Sequence, residues 1–243
     1  MTSAEEFRRL VRTRLGEVSV RIAVAAKKSG RTGGDVTLIA VTKSLPFERI
    51  GELRGLEISH FGENRPQDLA RRQPLLPDAS WHMIGHLQRN KVAQTLAHAS
   101  LIHSVDSLRL LEEMEKESAK RSAKNETAST TKVLLQINGS REPQKGGFEP
   151  EELSLLRATI PSLKHVQVQG LMTMAAFSDD PETARPAFAL VRSLRDRLAQ
   201  QVGSAFHPLD QLSMGMSQDY EVAIEEGATM VRVGTALFEG FGS

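Results

Sequence analysis

Eight short apolar runs, separated almost throughout by helix-like segments, constrain this chain more than any other feature of its sequence. The runs lie at "VTLIAVTK", "ISHFGEN", "WHMIG", "LIHSVD", "KVLLQIN", "VQGLMTM", "QLSMGM" and "MVRVG". Helical spacing marks residues 47–54, 67–76, 91–98, 108–124, 151–159, 184–201 and 220–226 between them. Strands that alternate with helices pair in parallel, because a parallel neighbour is reached only through a crossover. No linker or shift of composition divides the series. The pattern therefore predicts one α/β domain over 1–243, a closed (β/α)8 TIM-type barrel spanning 36–240. An open doubly wound sheet is the competing architecture. It would carry a glycine fingerprint after the first strand, and "VTKSLP" has none. Ahead of the barrel, Phe7, Leu10, Val11, Leu15, Val18, Ile22 and Ala25 recur at helical spacing. They predict an extra amphipathic helix within 1–30, stopped by Gly30, Gly33 and Gly34.

Charge and composition exclude several classes of function. With 31 basic and 30 acidic residues the net charge is +1, so no broad field points to nucleic acid or an anionic membrane. No apolar run approaches the roughly 18 residues of a membrane span. The start, "MTSAEEFRRLVRTRLGEV", mixes Glu5, Glu6 and Glu17 with arginines and lacks a signal-peptide core. The absence of cysteine excludes disulfides and thiolate metal sites. The expectation is a cytoplasmic protein.

Barrel enzymes carry their chemistry where strands end, because that rim is built from the βα loops. Here the ends fall at Lys43; Glu63 and Asn64; His82 to Gly85; Ser104 and Asp106; Asn138; Thr173 and Met174; Ser213 to Ser217; and Arg232 to Thr235. Nearly all bring a hydrogen-bonding or ionisable group. Lys43 admits two readings: a structural ion pair with Glu63, or an amine freed for attack on a carbonyl by burial among Val41 and Leu45. "LSMGMSQDYEVAIEEG" puts a glycine and Ser217 at a strand-to-helix junction, where N–H groups and the hydroxyl make an anion site. Taken alone, Ser217 is an ordinary helix cap. One strand later, "VRVGTALF" sets Arg232, Gly234 and Thr235 at the next end; Gly234 would let a ligand approach the backbone. The seventh and eighth βα loops are the usual phosphate cradle of a barrel. A lysine on strand one, phosphate turns on strands seven and eight, and an arginine between describe a site for pyridoxal 5′-phosphate.

The motifs then become recognisable. "WHMIGHLQRNK" carries Trp-His, then Gly, Leu-Gln and Asn-Lys, with "AVTK", "FGEN", "HSVDS", "GLMTM", "LSMGMSQDYEVAI" and "TMVRVGTALF" in order around it. In these the chain resembles the pyridoxal 5′-phosphate homeostasis protein family, itself similar to the barrel domain of bacterial alanine racemases. The resemblance covers about Val36 to Phe238. It implies a Schiff base between the cofactor and Lys43. It implies a phosphate held by Ser217, Gly234, Thr235 and the Met216 amide. Arg232 would face the pyridine nitrogen, and Asn64 would lie near the ring's 3-oxygen. An arginine in that place hands over no proton, which leaves the ring a weaker electron sink. By the same resemblance His82 sits inside the barrel mouth near the cofactor.

Other residues have blander readings. His86, His98 and His103 show no metal spacing with carboxylates, so no metal site is expected. His207 reads as structural, and Met172, Met174, Met214 and Met216 as core packing. The stretch 121–131 is a polar surface loop, whereas 138–148 leaves a strand end where function concentrates. Arg65, Pro66 and Asp68 after "FGEN", and the ending "LFEGFGS", depart from the family pattern.

Racemases of this kind need a second base, usually from another domain. The chain runs out at Ser243, and its single tyrosine, Tyr220, lies on the helix after the phosphate turn. The favoured expectation is a non-catalytic, monomeric protein of pyridoxal 5′-phosphate homeostasis, with no catalytic residues, that passes the cofactor to apo-enzymes. A monomeric racemase and a Schiff-base aldolase are the alternatives.

Overall fold

The computed structural model describes residues 2–124, 130–142 and 145–242. Residues 125–129 of the expected polar loop, and 143–144 of the following one, lie outside that range.

The eight apolar runs form eight strands: β1 (Thr37–Val41), β2 (His60–Glu63), β3 (Ser80–Met83), β4 (Leu101–Val105), β5 (Thr131–Gln136), β6 (Val166–Met172), β7 (Gln211–Met216) and β8 (Met230–Val233). All pair in parallel in sequence order, and β8 returns to β1 through Thr37↔Met230 to Ala40↔Val233, which closes the barrel. The sheet has no edge. Most strands are buried along their length, as strands covered on both faces must be.

Helices α2 (Phe47–Ile50), α3 (Pro66–Arg72), α4 (Val92–Leu96), α5 (Leu108–Ala123), α6 (Leu153–Thr159), α7 (Arg185–Val202) and α8 (Tyr220–Glu225) fill the connections, and α9 (Thr235–Phe238) follows β8. Several are shorter than the spacing predicts, for a local reason. α2 gives way to a 3-10 turn at Gly51–Leu53, and α3 to another at Gln73–Leu75, where Pro74 offers no N–H to continue the ladder. At its other end α3 starts on Pro66, whose fixed φ suits a first helical position. The Arg65-Pro66 departure from the family pattern is thus a helix start.

The expected leading helix is α1 (Ala4–Lys28). Ser3 caps it by accepting the Glu6 N–H at 3.2 Å, and Gly30 leaves it at φ +72°. Phe7, Val11, Leu15, Val18, Ile22 and Ala25 are buried at steps of three and four, so one stripe meets the barrel. Each of these side chains other than Ala25 contributes about 1.5–3 kcal/mol through burial. α1 packs on α8 and α9, with Lys28 paired to Glu225 at 2.7 Å. The unusual ending also docks here: Phe241 meets Phe7 edge-on at 4.8 Å, and Arg14 stacks over Phe241. No helix among the described residues is long and apolar enough to cross a membrane.

Candidate functional site

The C-terminal ends of the strands open on a cavity of about 990 Å³. Lys43, Asn64, Met216, Ser217, Arg232, Gly234 and Thr235 all line it. The residues singled out from four separate sequence segments therefore share one space.

Lys43 follows β1 and is exposed to this cavity, not buried among Val41 and Leu45. The expectation of an amine freed by burial is corrected here: the chain turns outward after Thr42, and the stem leaves the core. The alternative ion pair with Glu63 does not form either. Glu63 faces Arg72, whose Nη1 donates to its carboxylate at 2.7 Å, and also accepts from the Thr42 hydroxyl. The same guanidinium donates to the Thr42 carbonyl and, at 2.8 Å, to the Leu45 carbonyl. One buried arginine thus clamps the backbone on both sides of Lys43. Burial pushes the Glu63 carboxyl up, opposed by the Thr42 and Arg72 contacts.

The turn after β7 is shaped by Gly215 at φ +92°, where a Cβ would stand 2.8 Å from the Tyr220 Cα. No side chain fits there. The turn delivers Ser217, whose Oγ accepts the Gly234 N–H at 3.2 Å and the Ala236 N–H at 3.3 Å. The serine therefore ties the β7 turn to the β8 turn instead of capping its own helix. At Gly234 a Cβ would meet the Val41 carbonyl at 3.2 Å, so β1 crowds this position independently of any ligand. The Met216 amide is not a free donor: it is held by Asp219 Oδ1 at 2.6 Å. A carboxylate two residues past the serine claims the N–H expected for phosphate.

Arg232 is buried beneath these turns. Its Nη1 donates to Ser213 Oγ at 2.6 Å and its Nη2 to the Thr173 carbonyl at 2.9 Å. Both partners are neutral. Burial lowers its pKa to about 10, with Asp219 opposing. Ser213 continues into the barrel: His103 Nδ1 lies 2.9 Å from its Oγ, His82 Nδ1 lies 2.9 Å from His103 Nε2, and His60 Nδ1 lies 3.0 Å from His82 Nε2. Burial lowers His82 to about 3 and holds His103 well below its ordinary 6.5, so both rings are neutral. His82 accordingly sits inside the barrel but does not line the cavity, a correction to its expected place at the mouth.

The remaining readings divide. His207 accepts the Val168 N–H at 3.2 Å, a structural task. Met172 and Met214 are core, whereas Met174 and Met216 line the cavity. The described residues include no group of three His, Cys, Asp or Glu that could hold a metal. Tyr220 is buried on α8 under the Arg21 guanidinium, away from the cavity lining. Residues not assigned to the cofactor site also reach the cavity: Gln136, Lys145, Phe177, and the strand-end Asp106 paired with His86 at 2.9 Å. Lys145 was legible only as part of the loop 138–148. It is brought in by Gln136, which donates to its carbonyl at 2.8 Å.

A closed barrel with a lysine just beyond its first strand, an arginine on its last and joined turns after strands seven and eight is the racemase-type barrel. The match to a known family model agrees: residues 17–240 fit the alanine racemase N-terminal domain. More particularly, the chain belongs to the pyridoxal phosphate homeostasis protein family. It is 41% identical over 227 residues to the member from Aquifex aeolicus, covering 93% of this chain and 96% of that one. It is 37% identical to the member from Pseudomonas aeruginosa, covering 92% and 93%. Among solved structures, PipY of Synechococcus elongatus with PLP bound superposes at a TM-score of 0.77 with 34% identity, covering 94% of this chain and 99% of that chain. Alanine racemase of Clostridium difficile shares the fold at a TM-score of 0.70 and 15% identity, over 96% of this chain and 56% of that chain.

Proposed function

We propose that this chain is a non-catalytic pyridoxal 5′-phosphate carrier of the cell's cofactor homeostasis, acting as a monomeric barrel. The observation that carries the reading is the single cavity in which Lys43, Ser217, Arg232, Gly234 and Thr235 converge. The donor set fits the group. It offers an amine, a hydroxyl at a joint of two turns and a guanidinium with neutral partners, all suited to an anionic, aldehyde-bearing ligand.

When bound, the cofactor supplies an electrophilic aldehyde and an electron-accepting ring. Lys43 would provide the amine that condenses with the aldehyde as water leaves, and its exposure gives it the freedom to reach and to let go. Ser217, Gly234, Thr235 and, on release from Asp219, the Met216 amide would hold the phosphate. Arg232 would face the ring nitrogen, and Asn64 would flank the ring. Tyr220, turned into the α1–α8 packing, provides no second base for racemisation. Recipient apo-enzymes would take the cofactor from the open mouth.

The test is a titration of the purified chain with pyridoxal 5′-phosphate, followed by borohydride reduction and intact mass. One adduct on the wild type that disappears in Lys43→Ala is expected. An adduct that persists in Lys43→Ala, or none in the wild type, overturns the assignment. Turnover of either alanine enantiomer at an enzyme-like rate would overturn the non-catalytic part.

A further inference from the structure

The histidine chain below Arg232 is not used by the reading above, and its chemistry fixes more than its geometry. An arginine only donates hydrogen bonds, so Ser213 Oγ accepts from Arg232 Nη1. The serine has one hydrogen and, among the contacts of the described residues, one remaining partner for it, His103 Nδ1 at 2.9 Å; satisfying that hydrogen makes the nitrogen the acceptor. A neutral imidazole with an accepting Nδ1 carries its hydrogen on Nε2. That hydrogen donates to His82 Nδ1, which places the His82 hydrogen on Nε2 and aims it at His60 Nδ1. Each step removes the freedom of the next. The chain leaves β8, passes to β7, crosses the lumen to β4, and descends through β3 to the first residue of β2 at the opposite end of the barrel.

We propose that Ser213, His103, His82 and His60 form a one-directional hydrogen-bond chain whose polarity is set by Arg232, and that Ser213 and His103 are positioning residues which hold that guanidinium toward the cavity. The functional half rests on the placement of Arg232 against the cofactor ring; the polarity does not. Protonating His60 on Nδ1 would oppose the His82 Nε2–H. Accepting that proton requires reversal of every ring up to Ser213, whose hydroxyl would then receive two donors and lose its own acceptor. The charged and titratable groups acting on the chain are the histidines themselves, Arg232, and Asp219, which acts on Arg232 from a distance. No carboxylate is hydrogen-bonded to any of the three rings among the described residues.

The test uses the full chain, uniformly ¹⁵N-labelled and without cofactor, and reads imidazole tautomers from long-range ¹H–¹⁵N correlations. His82 and His103 are expected to be neutral with hydrogen on Nε2 at pH 7 and still neutral at pH 5. In Ser213→Ala both polarities become populated, and the change reaches His82, which does not touch Ser213. Ser213→Thr keeps the hydroxyl and restores the wild-type pattern. An Nδ1–H tautomer at either ring in the wild type overturns the proposal even if Ser213→Ala fails to fold. A His82 signal unchanged in a folded Ser213→Ala overturns it as well.

The positioning role is read separately, from release of pyridoxal 5′-phosphate by the loaded protein. Release roughly tenfold faster in Ser213→Ala and wild-type in Ser213→Thr is expected, the size of one hydrogen bond to a charged group. Equal release in all three overturns the positioning role. A wild type that binds no cofactor would count against the carrier reading, whereas the unloaded tautomers decide the chain.

Discussion

Arg72 and Arg232 are both buried, at 7% and 5% exposure, yet they are built into the barrel in opposite ways. Arg72 meets a carboxylate and two backbone carbonyls, so its charge is neutralised and its donors face protein. Arg232 meets only a hydroxyl and a carbonyl, with Asp219 acting on it from a distance. The first arrangement fixes a turn. The second leaves a desolvated cation with attraction to spare for an electron-rich ligand atom. A buried ion pair is weak evidence for stability but strong evidence of dependence between its members. A buried cation with neutral partners is a stronger sign of function.

That contrast can be broken by substitution. Arg72→Ala strands the Glu63 carboxylate, whose Oε2 already has no partner, and frees the turn around Lys43. A loss of about 3–5 kcal/mol is expected in urea unfolding. The double variant Arg72→Met, Glu63→Leu should recover most of it, and failure to do so would mean that the carbonyl clamp, not the charge pair, dominates.

Acid tests the neutral chain next. His82 at about 3 and His103 well below 6.5 bind protons in the unfolded chain before they do so in the folded one. Stability is therefore full above pH 6.5 and falls as pH drops below it, by up to about 1.4 kcal/mol per pH unit from each ring. Urea midpoints at pH 7 and pH 5 measure this, and an unchanged midpoint would show that the rings are not held neutral.

Arg232→Met removes a cation that is costly to bury, so stability should move by less than about 1 kcal/mol in either direction. Cofactor retention should nonetheless fall roughly 10- to 100-fold, the worth of a hydrogen bond to a charged group. Dialysis of the loaded protein gives the comparison. Lys43→Ala should have the smallest effect on folding, within about 0.5 kcal/mol, because the side chain is exposed. Its covalent adduct should vanish completely. A large loss of stability in Lys43→Ala would mean that the lysine carries structural contacts beyond those seen.

Much of this was legible in the amino-acid order. The eight apolar runs and their spacing specify a parallel closed barrel, because strand burial and crossover connections are local consequences of pattern. The amphipathic stripe of α1 is equally local. The turns after β7 and β8 were readable because glycine and serine act on the backbone beside them. What sequence could not supply was the partner of each charge. Lys43 and Glu63 are 20 residues apart and invite pairing, yet Arg72 intervenes from the following helix. Met216 seemed a free amide until Asp219 folded back onto it.

His60, His82, His103, Ser213 and Arg232 lie on five strands with no spacing rule between them, and only closure of the barrel brings their polar atoms within 3.0 Å of one another in series. Chain order alone determined the architecture, since periodicity acts on neighbours along the backbone. The tertiary structure alone decided which charges are neutralised and which remain available, because hydrogen bonding and desolvation depend on distance in space.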